Sequence, residues 1–376
     1  MKPHPSSPSL QKWQLPMAIG LLFIIVHTVM ASSESYTEQL MSARLFPQPL
    51  TWVGTNDPGE VESRELFEAA GLDHQNKPAD VVAKLEKFVA THPNSVWTPS
   101  LMANLANYYR NQGRYSIAMS YWQKAWEATK EPKDLHSRMV ADFTVAHWSQ
   151  LLSSLGRVDD LEQLIAAVNG RQLCGQENQR LFDQAREATA IMKSEPGISY
   201  RCGTLALFHV AVALGIGRDC SALADMHSPE TGFSLADLMK LSDQYRLGLV
   251  AVKRPSGNDL IVPSVVHWKE NHYAAIIDKR RDLYEVIDPT FGRPRWLEAD
   301  AINDSSSGYF MVLRNQVPAG WQLLSESEAA HVYGKGLDNA SPPPPPPPCT
   351  NDPCQTCQGV PAPKALVSTG RVSSWL

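Results

Sequence analysis

Three residues of this chain have the types and spacing to do nucleophilic chemistry together: Cys202, His272 and Asp288. Cys202 stands just ahead of an unbroken apolar run, Leu205 to Leu214 (LALFHVAVAL). A run that is apolar on nearly every side reads as a buried helix. At its N-terminal end, unpaired backbone N–H groups and the helix dipole favour an anion, so a thiolate is stabilised there. Gly203 keeps the approach open. His272 opens the strand-like run HYAAII, and Asp288 closes LYEVID, held by Pro289. If those runs pair as a hairpin across DKRRD, the histidine and the aspartate face each other at one end. A thiol, an imidazole and a carboxylate are what an activated nucleophile needs. The imidazole takes the thiol proton and later gives it to the leaving amine, while the carboxylate fixes the imidazole's tautomer and orientation.

The elements that must position these groups follow from pattern. In TGFSLADLMKLSDQYRLGLVAVK, Ser234 caps a helix, Asp237 reciprocates, and Gly248 ends it. LVAVK begins a series of strands continued by IVPSVVHW, HYAAII, LYEVI and YFMVL. A central buried helix on a small antiparallel sheet gives an α+β fold for residues 195–320.

The order and wording of these segments resemble the papain-like peptidase domain that removes double-glycine leaders from bacteriocins, cysteine-peptidase family thirty-nine. RCGTLAL is similar to the family's nucleophile motif, and GFSLADLMKLSDQYRLGLVAVK to its helix and following strand. VPSVVHWKENHYAAII and VIDPTFG are similar to its histidine and aspartate motifs, in order. The resemblance implies a cysteine peptidase acting on a peptide or protein substrate without a cofactor or metal. Cys202 would be nucleophile, His272 general base and acid, and Asp288 the orienting carboxylate. His267 in the VHW stretch competes with His272. Their odd separation puts them on opposite faces of a continuous strand, although the KEN turn between them weakens that parity. Asp288, brought beside His272 by the hairpin, favours His272. Two departures stand out. The family carries a glutamine a few residues before the cysteine, and here that stretch reads SEPGISYRC. Losing one oxyanion donor costs ~10²–10³ in rate. The family's frequent fusion to a transporter with an ATPase is also missing from this sequence.

Residues 77–194 read as helical hairpins. Within LANYYRNQGRYSIAMSYWQKAW, Leu105, Ala106 and Tyr109 make one apolar face, and Gly113 marks the turn. Tyr115, Ala118, Trp122 and Ala125 make the second face. These positions resemble a tetratricopeptide repeat, with a weaker copy around Gly156. That resemblance implies a concave surface for a peptide or protein partner, and Tyr108, Tyr121 and Trp126 read as exposed aromatics suited to binding.

The remaining segments bound compartment and partners. Lys2 and Lys12 precede the apolar stretch Met17 to Val26, and Val29-Met30-Ala31 offers small residues at a cleavage site. Residues 1–31 read as a signal peptide, so the chain is expected to be exported, with membrane attachment only if this segment stays uncleaved. Residues 32–76 read as a loosely structured lead-in. Residues 321–376 read as a tail containing seven prolines, Pro342 to Pro348, and three cysteines without a histidine, Cys349, Cys354 and Cys357. With 34 Lys+Arg against 39 Asp+Glu there is no electrostatic footprint for nucleic acid. No GxxxxGK[ST], GxGxxG or HExxH motif occurs, which removes support for nucleotide or zinc-hydrolase chemistry. Two other readings stay open: a catalytically degenerate peptidase-like binding module, motivated by the missing glutamine, and a thiol acyltransferase or amidase of the same fold.

Overall fold

A computed structural model describes residues 35–337 other than 73–77, 256, 258 and 292. The signal-peptide reading, the proline run and Cys349, Cys354 and Cys357 lie outside the described residues.

The chain begins with a helical region: α1 (Tyr36–Ser42), α2 (Glu60–Ala69), α3 (Pro78–Thr91), α4 (Thr98–Asn111), α5 (Tyr115–Thr129), α6 (Leu135–Ser154), α7 (Val158–Val168) and α8 (Gln176–Ser194). Helix α4 packs along α5, and α6 packs against α7 and α8. Leu105, Ala106 and Ala118 are fully buried in the α4–α5 seam, where small side chains let the helices approach closely. Gly113, at φ +77°, turns the chain between them in a conformation that favours glycine. Asp134 starts α6 by accepting from the Ser137 N–H at 2.8 Å.

Two expectations are corrected here. Residues 35–72 are not loose: the buried Leu40, Phe46, Leu50 and Leu66 seat the lead-in on the helical core. Trp126 is not an exposed aromatic but is 4 % accessible in the packing between helices, while Tyr108 and Tyr121 are only partly buried.

The second region comprises α9 (Pro196–Ser199), α10 (Cys202–Ala213), β1 (Phe233–Ser234), α11 (Leu235–Gln244), β2 (Leu249–Lys253), β3 (Ser264–Trp268), β4 (His272–Arg280), β5 (Leu283–Ile287), β6 (Arg295–Glu298), α12 (Ala299–Ser305), β7 (Ser306–Leu313), β8 (Gln322–Leu323), α13 (Glu326–Ala329) and β9 (Tyr333–Gly334). Seven strands form one antiparallel sheet in the order β6-β5-β4-β3-β7-β2-β8, and β1 pairs with β9 in a separate two-stranded ribbon. Side chains alternate between the faces of the large sheet. Leu249, Ala251, Val265, Tyr273, Ala275 and Met311 pack with α10 and α11 on one face. Val250, Val252, Val266, Trp268, Ala274 and Phe310 share a core with Tyr115, Trp122 and Leu151 of the helical region on the other. The architecture is thus α+β, a helical region followed by an antiparallel sheet domain, as the sequence pattern indicates.

Helix α11 has its capping box, with Ser234 accepting from the Asp237 N–H and Asp237 accepting from the Ser234 N–H. It stops earlier than Gly248: the helix ends at Gln244, and Arg246 adopts the left-handed conformation at φ +55°. The tail reading needs a larger correction. Residues 321–337 are ordered, with β8 added to the sheet edge, Ser325 capping α13, and β9 paired to β1.

Candidate active site

Cys202 is the first residue of α10, and Arg201 before it provides no side-chain cap. The first-turn amides of this helix therefore point toward the sulfur's surroundings without a capping oxygen to satisfy them. The helix itself forms because Leu205, Ala206, Leu207, Val210 and Ala211 are all buried, against β4 above all. Gly203 is needed for that seat. A Cβ there would come within 3.0 Å of the Leu238 side chain and 3.3 Å of the Tyr273 ring.

His272 begins β4, and Asp288 follows the last residue of β5. The β4–β5 pairing sets Ala275 against Ile287, so the two polar residues emerge at the same end of the hairpin. Nε2 of His272 lies 2.8 Å and 2.9 Å from the two carboxylate oxygens of Asp288. An ionised carboxylate only accepts, so Nε2 carries the proton and donates. Asp288 also accepts from the Thr290 N–H at 3.1 Å, and Thr290 Oγ1 lies 3.4 Å from His272 Nε2. Both members of the pair are buried, His272 at 0 % and Asp288 at 4 % accessibility.

The electrostatics of His272 reflect competing forces. Burial by itself would drive the imidazole neutral, but the Asp288 carboxylate and then the Cys202 sulfur outweigh it and hold the imidazolium well above the usual histidine range. With Nε2 committed to Asp288, Nδ1 is the nitrogen left for the sulfur, and it is buried without a hydrogen bond of regular geometry. Cys202 is 1 % accessible, and its Sγ accepts from the Gly336 N–H at 3.2 Å.

His267 is placed elsewhere. It lies on β3, with Nδ1 2.8 Å from Ser307 Oγ and Nε2 donating to the Tyr333 carbonyl at 2.7 Å. Burial depresses it to about 4, so it is neutral. The structure therefore groups Cys202, His272 and Asp288, and sets His267 against the Tyr273 ring, 4.9 Å between centroids.

Several residues around the group were not singled out for it from sequence. Tyr115 and Ser116 open α5 in the helical region yet reach this site. The Tyr115 ring stacks on Phe291 at 5.1 Å and meets Trp268 edge-on at 6.3 Å. Ser116 donates to Glu270, a buried carboxylate on the β3–β4 turn that burial pushes above its ordinary range. Thr290 had a signal: in Asp-Pro-Thr, an aspartate that accepts from the N–H two residues on is a common turn arrangement. Gly336 had none, being an ordinary glycine far along the chain. Among the described residues no group of three or more His, Cys, Asp or Glu is arranged to hold a metal ion.

Comparison with known proteins gives one family match. The family model described as the Peptidase C39 family matches residues 197–317, the stretch that contains Cys202, His272 and Asp288. No curated protein and no solved structure matches the chain. Residues 197–317 are a papain-like peptidase domain of the C39 family.

Proposed function

We propose that this protein is a cysteine peptidase that hydrolyses peptide bonds through Cys202, His272 and Asp288. One observation carries the reading: a fully buried imidazole, clasped by a carboxylate on one nitrogen, beside the first residue of an uncapped helix that is a cysteine. In this reading the Cys202 thiolate attacks the substrate carbonyl carbon, and the carbonyl electrons move onto its oxygen. The His272 imidazolium gives the Nδ1 proton to the departing amine, leaving a thioester on Sγ. Neutral His272 then takes a proton from water, the resulting hydroxide displaces the thiolate, and the carboxylic acid leaves. Asp288 keeps Nε2 protonated throughout, so that Nδ1 is the working nitrogen. In this reading the oxyanion falls to the Cys202 backbone N–H, because residues 196–201 (Pro-Gly-Ile-Ser-Tyr-Arg) supply no side-chain amide to share it.

The basic, then apolar N-terminus (Lys2, Lys12, Met17 to Val26) supports an exported enzyme. The helical hairpins support a second contact with a protein substrate, with the partly buried Tyr108 and Tyr121 as its aromatic contacts. The test is incubation of purified protein with a proteome-derived peptide library, read by mass spectrometry beside Cys202→Ala. Cleavages present in the first and missing in the second support the reading. No difference between them, repeated with a variant in which Cys202 is open to labelling, leaves a binding module, and products that appear only with an added amine make the enzyme an acyltransferase.

A further inference from the structure

The sulfur and imidazole of the candidate site are not open to a substrate, because the chain's own residues 332–337 lie across them. The Val332 carbonyl accepts from the Leu235 N–H at 2.7 Å and from the Tyr273 hydroxyl at 2.9 Å. The Tyr333 carbonyl accepts from His267 Nε2 at 2.7 Å, and the Lys335 N–H donates to the Asn271 carbonyl at 2.8 Å. Then come the Gly336 N–H on Cys202 Sγ at 3.2 Å and the Leu337 N–H on the Ser154 carbonyl at 3.0 Å. Tyr333 and Gly334 lie extended and pair antiparallel with Phe233 and Ser234. The side chain of Leu337 is buried, 6 % accessible, among the helical region's Trp126 and Leu161.

The fit has no slack at the two glycines. A Cβ built on Gly334 would overlap the Tyr273 ring, and one on Gly336 would overlap His272 Nδ1. From the groove side, a Cβ on Gly156 would overlap the Lys335 carbonyl, and one on Gly232 would overlap the Gly334 carbonyl. The way the segment meets the sulfur is also informative. In a trans planar peptide the N–H and the preceding C=O point in opposite directions. With the Gly336 N–H on Sγ, the Lys335 carbonyl turns away, toward Gly156. The nucleophile faces the edge of that peptide group, not the face of its carbonyl carbon, so the bond is held without being attacked.

We propose that residues 332–337 are a peptide bound in cis that closes the catalytic cleft, and that a substrate enters only when this strap is displaced. The strap occupies the course of an extended peptide, from the β1 edge past Tyr273 and His267 to Cys202. Its exit end is held by the end of α6. Opening therefore couples the cleft to the helical region, and anything that draws on the chain beyond Leu337 or on α6 bears on access to Cys202. The proposal rests on the peptidase reading for what is being shut, but its test does not.

That test is iodoacetamide labelling of the full chain, followed cysteine by cysteine by peptide mapping, in wild type, Gly336→Ala and Leu337→Ser. The first variant puts a methyl where His272 stands, and the second loosens the exit without a clash. Cys202 is expected to react slowly in wild type and about tenfold or more faster in Gly336→Ala, as when a predominantly closed state is emptied. Leu337→Ser should give an intermediate rate. Cys220, buried at 1 % accessibility behind α10, should stay slow in all three and so report an intact fold. A synthetic peptide of residues 330–337, added in excess to Gly336→Ala, should slow Cys202 again. Equal Cys202 rates in wild type and both variants, with Cys220 still protected, overturn the proposal. If Gly336→Ala unfolds, Cys220 reacts as well and Leu337→Ser alone decides. A variant with an accelerated Cys202 and no peptide turnover would sink the peptidase reading and leave the strap standing. Turnover by a wild type whose Cys202 is already open would do the reverse.

Discussion

The two sides of the β3–β4 turn hold imidazoles five residues apart, both buried, with opposite protonation. His267 on β3 has a serine oxygen and a backbone carbonyl for neighbours, and burial depresses it to about 4. His272 at the start of β4 is as deeply buried, yet Asp288 and Cys202 raise it to about 10. The difference teaches what burial alone does. Removing water disfavours the charged form at both places, and only an adjacent carboxylate and sulfur reverse the sign. On the His272 side the imidazole keeps its proton. On the His267 side the same ring becomes a neutral clamp on the strap.

The comparison breaks most severely at the sulfur. If Cys202 is the nucleophile, Cys202→Ala should reduce peptide turnover to background, measured against a library-derived substrate. Retained turnover would move the chemistry elsewhere. Next in size is Asp288→Asn. An asparagine can present its N–H to Nε2, turning the imidazole to the wrong tautomer, and kcat should fall by ~10⁴ as in a serine-protease triad. A loss below tenfold would mean that Asp288 is a packing residue that happens to lie beside His272.

Much of this contrast is legible in the sequence, and the reasons it stops are physical. The LALFHVAVAL run marks a helix with Cys202 at its start, though it is buried on one side only and Val212 is 50 % exposed, and the DKRRD connection brings Asp288 to His272, because both depend on contacts close in sequence. The strand period also separates the two histidines by face, with His267 paired to Tyr273 and His272 to Trp268, but it does not say which of them meets the sulfur. What could not be read is long-range and local pattern is silent on it. Tyr115 fits a helix–helix seam as well as the Phe291 ring it stacks on, and only the fold chooses. The Gly336 N–H reaches a sulfur 134 residues away. The shared core also decides how the helical region is best tested. Tyr115, Trp122 and Leu151 cover one face of the sheet, so removing residues 32–190 would expose that face, and the excised domain is expected to aggregate. Substrate docking is better tested by Tyr108→Ala and Tyr121→Ala in the full chain, as a rise in KM for a protein with little change for a short peptide.

Stability against pH sharpens the comparison from the alkaline side. The folded state holds the His272 proton up to about 10, while an unfolded histidine releases it near 6.5. Between those values the native His272 binds the extra proton, so this residue's contribution to stability falls as pH rises. The contribution is complete below about 6.5 and gone above about 10. Thermal midpoints of the wild type should fall across this window, and those of His272→Gln should fall less. Parallel curves would mean that the imidazolium in the buried pair is not what the fold stabilises.

The smallest effect belongs to His267, and its sign is reversed. Here the folded value is about 4 against 6.5 for the free side chain, so the unfolded chain binds more protons between the two. Stability from this residue is complete above about 6.5 and is lost as pH falls toward 4. A neutral glutamine keeps an N–H for the Tyr333 carbonyl and cannot be charged in either state. His267→Gln should therefore flatten the acid-side loss while leaving the alkaline side untouched. One weakened hydrogen bond, worth about 0.5–1.5 kcal/mol, should change turnover by less than about tenfold. Cys202 labelling should quicken modestly as the clamp on the strap loosens. Thermal melts from pH 4 to 10 on the same two proteins check both halves together. If the glutamine variant instead lost the alkaline dependence, His267 would be the protonated imidazole, and the roles assigned to the two sides of the turn would have to be exchanged.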